Sequence, residues 1–72
     1  MITATQVKKI VVDAGFLGQN PYADTYIHAL RMAEDGYGEK GVKTQILYIL
    51  NNLRAKTPEQ KAAKKQLQQL AK

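Results

Sequence analysis

An aliphatic segment with helical spacing, near the middle of the chain, is the strongest constraint on the fold. Its apolar side chains fall within about 100° on a helical wheel, and Leu47 widens that arc by about 60°. They are Val42, Ile46, Ile49, Leu50 and Leu53. A helix with so broad an apolar face needs other elements to cover it. We therefore predict a central helix over residues 39–54, with the rest of an all-α domain packed around it.

Capping residues predict the starts of three more helices. Thr3 and Thr57 are each followed three positions later by glutamine, which is the spacing of a capping box. Asn20 precedes Pro21, and this pair fits the cap and first position of a helix. Together with the central helix, these signals predict three to four short helices, over about residues 4–14, 21–35, 39–54 and 58–70.

The first of these helices has a competing interpretation as a strand. Residues 10–12 are three consecutive β-branched side chains, a composition that favours strands. We prefer a helix because Thr3 fits its N-cap and Gly15 its left-handed C-terminal stop. Phe16 then stands where a Schellman motif places an apolar contact.

Length and composition limit the class of protein. A chain of 72 residues is expected to form one domain, residues 1–72, around a single small core. It has no cysteine, which excludes disulfides and thiolate metal sites. The longest apolar run, residues 46–50, is far shorter than the ~20 residues of a membrane span, and no secretory signal pattern begins the chain. We expect a soluble, cytoplasmic protein that does not contact a membrane.

The positive charge is concentrated at the end of the chain. Residues 1–53 contain five basic and five acidic residues, whereas residues 54–72 contain six basic residues and only one acid, Glu59. Such a surface could neutralise nucleic-acid phosphates, although an ordinary solvated helix face is the alternative. Lysine outnumbers arginine, which favours non-specific contacts. The candidate nucleic-acid contacts are Arg54, Lys56, Lys61, Lys64, Lys65 and Lys72.

A second candidate surface lies on the side of the central helix opposite its aliphatic residues. It consists of Thr44, Tyr48, Asn51 and Asn52. Tyrosine and asparagine with little competing charge suit a protein interface. The alternative is that Tyr48 belongs to a secondary core on the far side of the helix.

Residues 36–41 match the G-x-G-x-x-G pattern of dinucleotide-binding loops. The context does not fit that function, because the preceding segment has helical spacing and no later strand completes a βαβ unit. We interpret the glycines as a turn between helices. No cofactor is expected.

Candidate catalytic and metal-binding residues are few. The chain has neither cysteine nor serine, and its one histidine, His28, follows Asp24 by four positions. That pair could orient an imidazole as a base, but a local hydrogen bond on a helix is the simpler interpretation. The acidic residues Glu34, Asp35 and Glu39 lack the spacing of a calcium loop, and we interpret them as a solvated loop. We predict no enzyme activity and no metal site.

The segment of residues 41–53, followed by a lysine-rich final helix, resembles small bacteriophage and prophage proteins that carry a K-x-Q-x-L-Y-x-L-x-N-L segment. The resemblance covers about residues 37–70. Those proteins tend to have a Trp-Arg-Gly-Glu-like segment where this chain has residues 54–59. The resemblance implies no activity and no site residue; it implies an accessory factor that binds host or viral components.

These observations predict a non-enzymatic protein that occupies the surface of a host or viral protein, through Tyr48, Asn51, Asn52 and exposed parts of the second predicted helix. The alternative is a protein that binds DNA or RNA non-specifically through its basic C-terminal helix. Self-association into a homo-oligomer is compatible with the first hypothesis, because a small core gains from an additional interface.

Overall fold

The architecture follows from four helices that pack around one core. A computed structural model describes residues 2–72, which contain no strand. The helices are α1 (Ala4–Asp13), α2 (Pro21–His28), α3 (Leu30–Asn51) and α4 (Pro58–Leu70). The all-α prediction is confirmed. In this described part of the chain, no helix combines the length and apolar character needed to cross a membrane.

The predicted capping residues begin the helices that they were expected to begin. Each side-chain oxygen accepts a first-turn amide: Gln6 donates to Thr3 (3.2 Å), Tyr22 to Asn20 (2.8 Å) and Gln60 to Thr57 (3.1 Å). These bonds satisfy amides that lack a partner within the helix. The sequence signals therefore place the first residues of α1, α2 and α4 correctly.

The end of α1 is a Schellman motif. Gly15 has φ 79°, a left-handed conformation that glycine adopts without strain. The amide of Phe16 donates to the carbonyl oxygen of Val11 (3.1 Å), and that of Gly15 to the carbonyl oxygen of Val12 (3.0 Å). The Phe16 side chain is fully buried as a result. The helical interpretation of residues 10–12 is thus confirmed over the strand.

The second predicted helix begins correctly at residue 21, but the predicted ends of the second and third helices are wrong. The predicted helix over residues 21–35 is divided at Ala29, which caps both α2 and α3. α3 then continues past Gly36 to a break at Gly38, whose φ of 65° and ψ of −145° are non-helical. The C-terminal end of the predicted central helix also differs: α3 stops at Asn51 instead of residue 54. α3 therefore has an N-terminal half, residues 30–37, and a C-terminal half, residues 39–51.

The glycine motif has a structural role at two of its three positions. Gly38 supplies a backbone conformation that L side chains rarely adopt. Gly41 is buried where the two halves of α3 meet, and a methyl group there would overlap the carbonyl oxygen of Ala33 and lie 2.8 Å from Cβ of Tyr37. Gly36 lies in the helix with nothing near it. The predicted turn is therefore confined to Gly38, and Gly41 permits the close backbone approach beside it.

α3 packs against each of the other three helices, and α4 also packs on α1. The largest fully buried side chains are Phe16, Ile27, Leu30, Ile46, Ile49, Leu67, Val7, Val11 and Val42. Leu47, at the edge of the predicted apolar arc, is instead 52% exposed. α4 contributes Leu67 and Ala63 to the core, so the last helix is docked on the body.

Two carboxylates of α3 hold the beginning of α1. The amide of Ala4 donates to Glu34 (2.8 Å) and the amide of Ile2 donates to Glu39 (3.4 Å). The amino end of a helix attracts negative charge because its first amides lack helical partners. Our interpretation of these acids as a solvated loop is therefore wrong: they lie on a helix and fix another helix.

Candidate functional site

An open groove of about 610 Å³ lies between the two halves of α3. It is lined by Ala29, Met32, Ala33, Tyr37, Lys40, Gly41, Thr44, Gln45 and Tyr48. The halves approach most closely at Ala33 and Gly41, where the absence of side-chain bulk brings the two backbones together. The break at Gly38 thus creates a recess with small residues at its base.

Large side chains stand around this recess without being covered by the rest of the chain. Tyr37 is 79% exposed, Met32 is 76% exposed and Tyr48 is 48% exposed. The Tyr48 ring stacks on Tyr26, with centroids 5.4 Å apart and ring planes 30° apart. Stacking of this kind contributes about 0.5–1.5 kcal/mol beyond the burial of area. Tyr48 is therefore held in position while about half of it remains accessible.

Two polar side chains of the groove, Gln45 and Thr44, are used within the protein. The side-chain amide of Gln45 donates to the carbonyl oxygen of Tyr26 (3.0 Å). The Thr44 hydroxyl donates to the carbonyl oxygen of Lys40 (3.1 Å). Lys40 is the one charged residue among those that line the groove. Besides Lys40 and the hydroxyl groups of Tyr37 and Tyr48, the groove thus offers apolar and aromatic surface to a ligand.

The structure divides the predicted protein interface into two parts. Thr44 and Tyr48 line the groove, whereas Asn51 and Asn52 line a separate shallow depression with residues of the α1–α2 connection. The Asn52 side chain donates to the carbonyl oxygen of Tyr48 (2.9 Å) and so serves its own helix.

The predicted interface includes exposed parts of the second predicted helix, where Met32 and Ala33 lie, without naming either residue, and it does not include Tyr37. A helix expected to end at Gly36 left Tyr37 in a loop. The signal was present, because residues 29, 32, 33, 36 and 37 continue a helical stripe through that glycine.

The predicted nucleic-acid contacts are accessible. Arg54, Lys56, Lys61, Lys65 and Lys72 are exposed and Lys64 is half-buried. Within residues 2–72 the one ion pair is between Arg31 and Asp35 (3.5 Å), so none of these six cations has a carboxylate partner there.

One further cation, which we did not predict, joins this basic surface. Nζ of Lys43, on α3, donates to the carbonyl oxygen of Lys72 (3.2 Å). The contact places Lys43 beside the end of α4. Glu59, the only acid near these cations in sequence, lines a depression with Asp13 on the side of α4 that faces α1.

The histidine and carboxylate positions do not converge. The Asp24 carboxylate accepts the amide of Gly18 (2.9 and 3.2 Å), and no hydrogen bond joins it to the exposed His28. In the part of the chain that the structure describes, no three His, Asp or Glu side chains lie close enough to hold a metal ion.

A scan against family models, a search of curated proteins and a search of solved structures each find no match for the chain.

Proposed function

We propose that this chain is a small non-enzymatic binding protein that acts by occupying the surface of a partner protein. The observation that carries the proposal is the groove of α3, with Met32, Tyr37 and Tyr48 exposed around it. Methionine and aromatic residues are enriched at the centres of protein interfaces and depleted from ordinary surfaces. A contiguous apolar patch on so small a domain is typical of an interaction site.

We also propose a biological setting for this protein, in a phage or mobile element. The likeness of residues 37–70 to small phage proteins supports an accessory role in a phage or mobile element, with a host or viral protein as the partner in the cytoplasm. We assign a catalytic role to none of its residues.

Photo-crosslinking tests the groove as a protein interface. A photoreactive phenylalanine analogue at position 37 should give one discrete adduct when the protein is irradiated in its native cell. The same analogue at position 22 is the matched control, because Tyr22 is also highly exposed (71%) but lies outside the groove. Tyr48→Ala should remove the adduct while the helical circular-dichroism signal stays unchanged, since only a half-exposed ring is lost.

Two results would contradict this proposal. Equal adducts from positions 22 and 37 would show that exposure alone explains the crosslink. Unfolding of Tyr48→Ala would show that Tyr48 serves the core and would remove it from the interface.

A second candidate function, non-specific binding of DNA or RNA, is favoured by the basic surface of α4. Its cations have no carboxylate partner within the described residues, and Lys43 extends the charge onto α3. Lysines with this arrangement neutralise phosphates without reading bases. The two functions use different faces, because no residue of α4 lines the groove.

Salt dependence tests this second function. With about five lysine–phosphate contacts, affinity for a random-sequence DNA duplex should fall several-hundred-fold between about 50 and 200 mM salt. Lys61, Lys65 and Lys72→Gln together should shallow the log–log slope by about 2–3. Lys8 and Lys9→Gln, on exposed positions of α1, is the control and should leave the slope nearly unchanged. An unchanged slope in the triple variant would place the contact elsewhere.

A further inference from the structure

We propose that the occupant of the groove is a second copy of this chain. The two copies are related by a two-fold axis, and their grooves face each other across it. This inference rests on the proposed function of the groove as a protein interface, and it assigns the groove to a second copy of the chain instead of to a host or viral protein. Three features carry it: the shape of the groove, the area it exposes and the distribution of charge.

The groove presents projections and a recess on the same face. Met32 and Tyr37 project from the N-terminal half of α3 and are largely exposed. Beside them, Ala33 and Gly41 leave the base of the recess without bulky side chains. A two-fold interface needs a self-complementary patch, since each copy contributes the same residues. Tyr37 or Met32 of each copy can therefore fill the recess of the other.

The exposed area matches a small dimer interface. Counted on both copies, the exposed parts of Met32, Tyr37 and Tyr48 come to at most about 800 Å² when all of them are buried, if a large side chain buries about 150–250 Å². The alanines of the groove and the apolar stems of Lys40 and Gln45 add to this. A specific interface requires about 1,000 Å² or more in total. The expected dimer is thus at the lower limit of stable interfaces and dissociates on dilution.

The charges permit this contact despite the net charge of +5 on each copy. Around the N-terminal half of α3, Arg31 is paired with Asp35, and Lys40 is the one charge that lines the groove. The excess of basic residues is on and next to α4, which contributes nothing to the groove. Two copies joined at their grooves would bring one cation each, Lys40, to the interface, where the long exposed side chain can keep its charge in water. Both basic surfaces would stay free.

Sedimentation equilibrium of the full chain tests the inference at concentrations from about 10 µM to 1 mM. The weight-average mass should rise with concentration from the monomer mass of 8.0 kDa towards twice that value. Met32→Glu with Tyr37→Glu should weaken association at least about tenfold, because truncating a central interface residue commonly costs a factor of that size. Circular dichroism should show that this double variant is folded, since the two substituted side chains are exposed.

Leu17→Glu with Tyr22→Glu is the matched control. It makes the same change of charge at exposed apolar residues that do not line the groove, and it should associate like the unmodified chain. Three outcomes would overturn the inference: a monomer at every concentration, association unaffected by the groove substitutions, or association lost equally in the control. If the chain is monomeric and position 37 still crosslinks to a different protein, the proposed function stands and only the second copy is refuted.

Discussion

Gly41→Ala is expected to lower the free energy of unfolding by about 3 kcal/mol, at the upper end of the cost of overpacking a core. The added methyl group would overlap the carbonyl oxygen of Ala33, which belongs to a backbone and cannot move aside as a flexible side chain would. The two halves of α3 must separate to admit it, and the groove would widen with them. For a domain of this size the thermal midpoint should fall by about 12–24 °C.

Gly36→Ala is the control for this measurement. Gly36 lies in the helical part of the same motif, with helical backbone and no atom near its missing Cβ. Alanine there should stabilise the protein by about 0.5–1 kcal/mol, because glycine loses more conformational freedom in a helix. Equal thermal midpoints for the two variants would show that the halves of α3 do not meet at Gly41.

The glycine motif shows which feature of the fold could not be predicted from sequence, namely the position of the helix break. Capping side chains act on amides within three residues, so Thr3, Asn20 and Thr57 reveal the helix starts from local sequence alone. A glycine can end a helix, continue one or permit close packing, and three occur within residues 36–41. Which one breaks the helix depends on how the two halves pack, and that is a tertiary property. The predicted helices leave residues 36–38 between them, whereas the helix continues through residues 36 and 37 and breaks at Gly38 alone.

The candidate site could be predicted only in part, because tertiary packing also decides which residues come together there. Tyr48 could be predicted to face away from the aliphatic core, because helical period determines the side of a helix on which a residue lies. The spacing of Met32 and Tyr37 places them on one stripe of a helix, but it does not place that stripe beside Tyr48, because the two come together only through the fold of α3 on itself. The contacts of Glu34 and Glu39 with the start of α1 join residues 30 and 37 positions apart, and no local pattern marks them.

Leu67→Ala is expected to destabilise the protein by about 3 kcal/mol, within the range of leucine truncations in cores. Leu67 is fully buried and is the largest side chain that α4 places in the core. Its loss should lower the thermal midpoint by about 12–24 °C and speed amide exchange throughout α4. Leu47→Ala removes the same atoms from a half-exposed position on α3, and it should change stability by no more than about 0.5 kcal/mol.

The docking of α4 through Leu67 also affects how the basic surface would bind nucleic acid. If Leu67 anchors α4, then Lys61, Lys65 and Lys72 hold a fixed position relative to Lys43, and the phosphate contacts act as one rigid set. Leu67→Ala would then weaken nucleic-acid binding at temperatures where α4 is released, although it removes no charge. If Leu67→Ala is instead as mild as Leu47→Ala, α4 is not part of the cooperative unit. Its lysines would then act as a mobile basic tail, and Lys43→Gln should have no effect on the salt slope.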